Sequence, residues 1–477
     1  MEKVKKEKLS RGIIIAALIG VLGALPPMFD STIVNIAVND LSNIFSTTFN
    51  VMQWIITGYV LALAVAVPFS SWIVQKIDGK KVFVWSLILF LAGSMLSGIS
   101  WNIQSLIVFR IIQGFAAGIL IPTMTNLLVG LVGKDKLGQL MSIVSVPAVL
   151  GPILGPIIGG LILQSLSWHW LFFINLPIGI IALILIQWKF PKSAPMNPSA
   201  KLDWFGIASL AAASALIIYG ITEVRSTANQ TAGIISIVTG VVLILSYIVY
   251  AFKRKEKALL PLKLFKSKNF SASFISLFLT GFAINGPMLL LPMFFQKIEG
   301  LSVITSALWL IPQGVGMLIA RPMIGKLTDK IGARFVVLPS IAVTIIGTLP
   351  FVFANLGTSG WIIWIVLFIR GMGVGGFTIP VMSDAYVSVE KSEVPQATMA
   401  TRIIQNIGSA FGSAVLATIV SNFLIGKEMT LANMTDAYHE GFITSLIFMV
   451  IGIIPVFFLS NKLKKHKKEE VVKITEK

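Results

Sequence analysis

Few ionisable residues stand inside the long apolar runs of this 477-residue chain, and they define the chemistry open to it. A charge placed in hydrocarbon costs several kcal/mol, so such residues mark function by default. Asp30 follows Pro26 and Pro27 in the first run and is the one acid well inside the first six runs. Arg110 lies about two turns into the fourth run, at a depth similar to that of Asp30. Arginine stays charged at physiological pH, whereas a carboxylate gives up its charge to a proton. Facing each other, the two make a switch, because protonation of Asp30 loosens its hold on Arg110 and proton or substrate, not both, satisfies the site. The alternative is a permanent ion pair that fixes helix packing. Gln113, three residues after Arg110, shares nearly its face and can serve a helix or a ligand. Further along, Arg370 stands mid-run and matches Arg110 by position, with Asn285 and Gln313 as polar candidates. Asp384, near the end of its run, is a candidate second proton site or an acid that simply reaches water. Asn35, Gln53, Trp54, Tyr59 and Asn175 are candidates to line an aromatic and polar pocket suited to lipophilic substrates. Trp101, Trp168 and Trp361 read as interfacial belt residues, and Arg321 and Arg402 as side chains that snorkel to the interface.

The elements that must position these residues are membrane helices. Hydrophobic residues make up 56% of the chain and charged residues 12%, against about 25% charged in soluble domains. Windows of about 20 apolar residues fall near 12–36, 51–74, 82–100, 103–130, 139–164 and 170–189, then near 204–222 and 232–251, then near 270–295, 302–325, 334–354, 360–387, 397–424 and 441–460. The expectation is an all-α polytopic membrane protein with 14 spans arranged six, two, six. Its parts are an N-terminal bundle (1–190), a linker with two extra helices (191–269), a C-terminal bundle (270–461) and a basic tail (462–477). Lysine and arginine gather in the loops on one side, which by the positive-inside rule puts both termini in the cytoplasm of a multi-pass plasma-membrane protein. The net charge of +18 therefore reads as topology. Nucleic-acid binding would need a clustered basic face with base-reading groups, so no nucleic-acid partner is expected.

The N-terminal run continues beyond a signal-peptide core and reads as a retained helix. Zero cysteines exclude disulfides and thiol chemistry. Three histidines, at 169, 439 and 466, lack metal-site spacing, and no GxxxxGK[ST] loop is present. Neither enzyme, metal nor cofactor is expected, and ion gradients remain as the energy source.

Marks of an internal repeat are visible. SWIVQKIDGKK (71–81) is echoed by GKLTDKIGARF (325–335), and FRIIQGFAAG (109–118) by IRGMGVGGF (369–377). In VLGPILGPIIGG (149–160), Gly151, Gly155 and Gly159 fall on one helical face that lets another backbone approach closely, with Gly160 beside them. Pro152 and Pro156 remove two backbone donors from the same helix. The string resembles the antiporter motif of the major facilitator superfamily, and GKLTDKIGAR resembles that family's signature loop. FDSTIVNIAV (29–38), QWIITGYVLALAVAVP (53–68) and WHWLFFINLPIG (168–179) resemble its 14-span drug:proton antiporters, the EmrB/QacA group.

The resemblance implies two pseudo-symmetric six-helix bundles plus two extra central helices, proton coupling or cation recognition at Asp30, and a cytoplasmic gate at Asp329 and Arg334. In the first half that loop departs from the pattern, with Gln75 in the acid's place and Asp78 where glycine is usual. His169 occupies a slot where the group often carries arginine. The expected function is proton-coupled export of amphipathic compounds, cations among them, by a monomer working with small-molecule substrate, protons and bilayer. The alternatives are a dedicated exporter of one endogenous solute, which two buried arginines would suit if it were an anion, and a transport-inactive sensor or scaffold.

Overall fold

The computed structural model describes residues 9–47, 49–52, 54–132, 136–190, 195, 202–224, 229–281 and 286–461; the side chains at 35, 36, 38, 39, 49, 50, 147–149, 152, 153, 156, 256 and 303 are outside the description. The first block contains α1 (Arg11–Ile44), α2 (Phe49–Met52), α3 (Trp54–Lys76), α4 (Gly79–Gly98), α5 (Ile103–Gly130), α6 (Leu137–Val144), α7 (Pro147–Ser165), α8 (Trp170–Phe173) and α9 (Asn175–Lys189). Then come α10 (Trp204–Glu223) and α11 (Gln230–Arg254). The last block holds α12 (Lys268–Thr280), α13 (Gly286–Lys297), α14 (Val303–Trp309), α15 (Ile311–Ile331), α16 (Arg334–Thr348), α17 (Gly360–Val387), α18 (Val394–Phe423), α19 (Leu431–Ile451) and α20 (Ile453–Val456).

Among the described residues, 12 helices are long and apolar enough to cross a membrane. The chain is an all-α polytopic membrane protein. Two of the 14 expected spans, those at 139–164 and 270–295, are not among these twelve. The run at 139–164 divides into α6 and α7, whose first residue is Pro147, because proline cannot donate to the preceding turn. The run at 270–295 carries α12 and α13, with residues 282–285 between them outside the described residues.

Packing follows small residues and apolar stripes. α5 lies against α3 and α4, α17 against α15 and α16, and α1 against α7. The blocks meet where α6 packs on α15 and α17, where α7 packs on α14 and α15, and where α18 packs on α3 and α5. α10 touches both α3 and α18 and shares with them an apolar cluster of Ala64, Ile217, Ile218, Ile221, Ile407 and Ala414. α11 leans on α10 and exposes Ile235, Val238, Leu245, Val249 and Phe252. In water such a stripe would be an aggregation liability; on a membrane helix it faces lipid.

Both α10 and α11 are fastened at one end. Asp203 accepts hydrogen bonds from Gly206 N (2.9 Å), Leu259 N (3.0 Å) and Tyr250 Oη (2.7 Å), while Leu260 N donates to Tyr247 Oη (2.7 Å). One carboxylate thus caps the start of α10 and ties it to α11 and to the segment leading into the second block.

Candidate functional site

The start of α5 sets the depth of the site. Asn102 and Ser105 form a reciprocal capping box, with Ser105 N donating to Asn102 Oδ1 at 2.7 Å. Eight residues on, or about 12 Å along the axis, Arg110 points into the bundle and is 1% exposed. Close contact with α3 is possible because residue 114 is glycine; a Cβ there would stand 2.9 Å from Tyr59 Cα.

Five helices converge on Asp30, which is 0% exposed. Arg110 Nη1 donates to Asp30 Oδ2 and to Gln113 Oε1 (2.7 Å), and Arg110 Nε donates to Ile55 O (3.1 Å). Asp30 Oδ1 accepts from Gln113 Nε2 (3.1 Å) and Asn175 Nδ2 (3.3 Å). Asn175 also donates to Ser94 Oγ (2.9 Å), which in turn donates to Phe172 O (2.9 Å). The guanidinium lies 4.2 Å from the Tyr59 ring centroid, a cation–π contact, and Tyr59 Oη donates to Pro27 O at 3.2 Å. One carboxylate oxygen therefore takes the cation and the other takes two neutral donors. A proton on Asp30 removes the counter-charge of Arg110 and turns one acceptor into a donor, so the whole set must re-pair.

The second block holds a cation without that partner. Arg370 is 0% exposed. Its Nε donates to Thr348 Oγ1 (3.2 Å) and its Nη1 to Gln313 Oε1 (2.6 Å), while Nη2 has no partner among the described residues. Close approach again rests on glycine, since a Cβ at Gly371 would stand 2.9 Å from Gln313 Cα. Asp384 is not part of this group. It lies 14 residues further along α17, or about 21 Å, and accepts from Ser460 N at 3.1 Å.

The glycine face of α7 lies on α1 beside Asp30. Thr32 Oγ1 donates to Gly151 O (2.9 Å), and a Cβ at Gly159 would stand 2.9 Å from Ile33 Cγ1. Thr32 likewise leaves no room for a Cβ at Gly155. On the neighbouring face, a Cβ at Gly160 would stand 2.8 Å from Ile304 of the second block.

At the loops, Asp329 accepts from Gly138 N (2.7 Å) and Gln139 N (2.9 Å) at the start of α6, an acid at the positive end of a helix. The Arg334 guanidinium instead lies 4.9 Å from the Phe457 ring centroid. Gln75 has turned inward along its own helix, donating from Nε2 to Ser71 O at 3.0 Å, and Asp78 caps α4 through Lys80 N at 2.8 Å.

Of the residues picked out from sequence, the structure brings together Asp30, Arg110, Gln113, Tyr59 and Asn175, and separately Arg370 and Gln313. Trp54 is not in a pocket: it is 42% exposed and stacks on Tyr219 of α10, centroids 6.3 Å apart. Asn285 and Gln53 lie outside the described residues, as do the side chains of Asn35, Pro152 and Pro156. Trp168 is not a belt residue; it is 9% exposed and stacks on His169 at 4.0 Å, whereas Trp101 and Trp361 are more than 70% exposed. Arg321 does not snorkel. Its Nη1 donates to Ser145 O at the C-cap of α6, where terminal carbonyls lack helical partners.

Ser94 and Thr348 were missed by sequence reasoning. Hydroxyls in apolar helices usually bond the carbonyl four residues back, as Thr348 Oγ1 does to Thr344 O at 2.7 Å, so their type alone gives no signal. Only their position at the ends of α4 and α16, level with the buried arginines, singles them out.

Long apolar helices wrapped around a hydrogen-bonded carboxylate and guanidinium define a class, a polytopic membrane transporter. The sequence matches the family profile of the Major Facilitator Superfamily over residues 20–413. The chain belongs to that superfamily and is a secondary transporter, not an enzyme. It is 29% identical to the Multidrug resistance protein B homolog of Mycobacterium tuberculosis, over 87% of this chain and 77% of that protein. With the Lincomycin resistance protein LmrB of Listeria innocua it shares 27% identity over 96% of this chain and 98% of that one. Among solved structures, the proton:xylose symporter XylE has a similar fold, with a TM-score of 0.64 at 15% identity over 92% of this chain and 95% of that chain.

Proposed function

We propose that the chain is a proton-coupled antiporter that exports amphipathic compounds, cations among them, across the plasma membrane by alternating access. The observation that carries the reading is Asp30, wholly buried and tied at once to Arg110, Gln113 and Asn175. Proton uptake at this carboxyl breaks the charge pairing and frees polar groups from α1, α5 and α9 together, which is what coupling a proton to helix movement requires. Asp30 is the coupling residue, Arg110 tunes it, and Gln113 and Asn175 pass its state to their helices. Asp384 is a secondary proton site. The names of the curated relatives, multidrug and lincomycin resistance proteins, support a drug-like substrate.

On this reading the protein is a member of the 14-span EmrB/QacA group, with bundles at 1–190 and 270–461 flanking an extra pair within 191–269. The segments α6–α7 and α12–α13 supply the two crossings beyond the 12 helices long and apolar enough to span. Both termini are cytoplasmic and the working unit is a monomer. The α7 glycines, packed on the helix that carries Asp30, limit leak while the halves rock, and Asp329 clamped on α6 holds the cytoplasmic side closed.

Everted membrane vesicles holding an inward proton gradient test the function. Lipophilic cations, neutral drugs and anionic metabolites are added in turn. Dissipation of the gradient by several unrelated compounds is the expected result. Dissipation by one metabolite alone establishes the dedicated exporter, and silence across the panel overturns antiport in favour of a sensor or scaffold.

A further inference from the structure

Resting on the export reading, we infer that Arg370, with Gln313 and Thr348, is a binding site for the acidic group of the exported compound. Arg110 and Arg370, the two arginines buried at mid-helix, are treated very differently. Arg110 has a carboxylate, an amide oxygen and a backbone carbonyl. Arg370 has only a neutral amide oxygen and a hydroxyl, with Nη2 unpartnered and no carboxylate in ion-pair reach among the described residues. The sequence offers no acid in the undescribed 282–285 segment either, which reads Phe-Ala-Ile-Asn.

A buried charge without a counter-charge is among the most costly arrangements in a protein interior, and it persists where a partner arrives from outside. Two N–H groups on Nη2 lie beside Nη1 in a planar fork, the arrangement that matches the two oxygens of a carboxylate. Gln313 and Thr348 hold that fork from the other edges. Access follows from the packing, because α15, which carries Gln313, borders α6 and α7 of the first block. Rocking of the halves opens the seam next to it. Export of a molecule with both an apolar body and an acidic group then engages both halves, with the proton switch at Asp30 in one and the anion at Arg370 in the other.

The test is equilibrium binding to the purified full-length chain in lipid nanodiscs by calorimetry, which does not depend on proton coupling. The probes are 2-naphthoate, its neutral isostere 2-naphthamide, and chloride or inorganic phosphate alone. Wild type is expected to prefer naphthoate. Arg370→Gln should weaken naphthoate by about tenfold or more, the scale of a lost charge-assisted contact, and leave naphthamide unchanged. Gln313→Glu should do the same while raising the melting temperature, because it supplies the missing counter-charge from 2.6 Å away and fills the site from within. Trp54→Ala, on the outer face against α10, should bind naphthoate as wild type does.

Equal binding of the two naphthalene probes, or binding of neither, overturns the proposal. So does naphthoate binding that Gln313→Glu leaves intact. Displacement of naphthoate by chloride or phosphate at equal concentration assigns the site to a free inorganic anion and overturns its role in substrate recognition.

Discussion

The clusters around Arg110 and Arg370 are built on one plan and completed differently. In each, a helix crosses its neighbour at a glycine, Gly114 on Tyr59 and Gly371 on Gln313, and this crossing buries an arginine beside a glutamine oxygen. In the first cluster Asp30 closes the charge and draws in Gln113 and Asn175. In the second, among the described residues, no acid arrives and one guanidinium nitrogen has no partner. Similar local frames thus carry unequal chemistry: Arg110 has a carboxylate beside it, and Arg370 has neutral acceptors only among the described residues.

The loops show a similar inequality. Asp329 bridges from α15 to two backbone donors at the start of α6 in the other block, whereas Gln75, at the matching place, donates to Ser71 of its own helix and meets the other block only through a 3.4 Å amide contact from Gln396. The charged clamp across the halves is therefore built from one side.

The contrast can be broken most sharply at Asp30. Asp30→Asn should reduce gradient-driven export to background and cost on the order of 3 kcal/mol of stability, because Arg110 loses its counter-charge. Substrate exchange without a gradient should survive and shows that the chain still folds. Next come the paired glutamines. Gln313→Leu leaves Arg370 with a single neutral acceptor and should cost about 2–3 kcal/mol, while Gln113→Leu, with Asp30 still on Arg110, should cost about 1 kcal/mol. Equal losses in thermal unfolding would contradict the asymmetry. Gly155→Ala drives a Cβ into Thr32 and should cost about 1–3 kcal/mol with slower export, read by initial rates.

A smaller effect is expected at the clamp. Asp329→Asn removes a charge from a helix N-terminus, worth about 0.5–1 kcal/mol, and should raise thiol labelling of Ser142→Cys from the cytoplasmic side. The natural absence of cysteine makes that label unambiguous. Trp54→Ala, on the outer face against α10, should change stability by no more than about 0.5 kcal/mol and leave substrate binding unaltered.

Hydropathy made the membrane class and most helices legible, since lipid exposure leaves a long apolar run as its trace. It did not reveal the break between α6 and α7, because apolarity continues across a break that proline and local geometry decide. The isolation of Asp30 and the matching depth of Arg110 pointed to their meeting. The roles of Ser94, Thr348 and Ile55 O were hidden, because helix rotation is set by packing and not by hydropathy. Rotation also misplaced Trp54 and Trp168, which sit near helix ends as belt residues do. Arg321 was misread for another reason: its partner is a helix-terminal carbonyl created by the very break that hydropathy could not show.

The central claim is that one proton on Asp30 drives export. Proteoliposomes containing wild type or Asp30→Asn, loaded with a transported lipophilic cation and given a pH jump, test it directly. The jump is expected to accelerate release from wild-type vesicles and to leave the rate from Asp30→Asn vesicles unchanged, with exchange at equal pH retained in both. Acceleration by the same factor in the variant would contradict it.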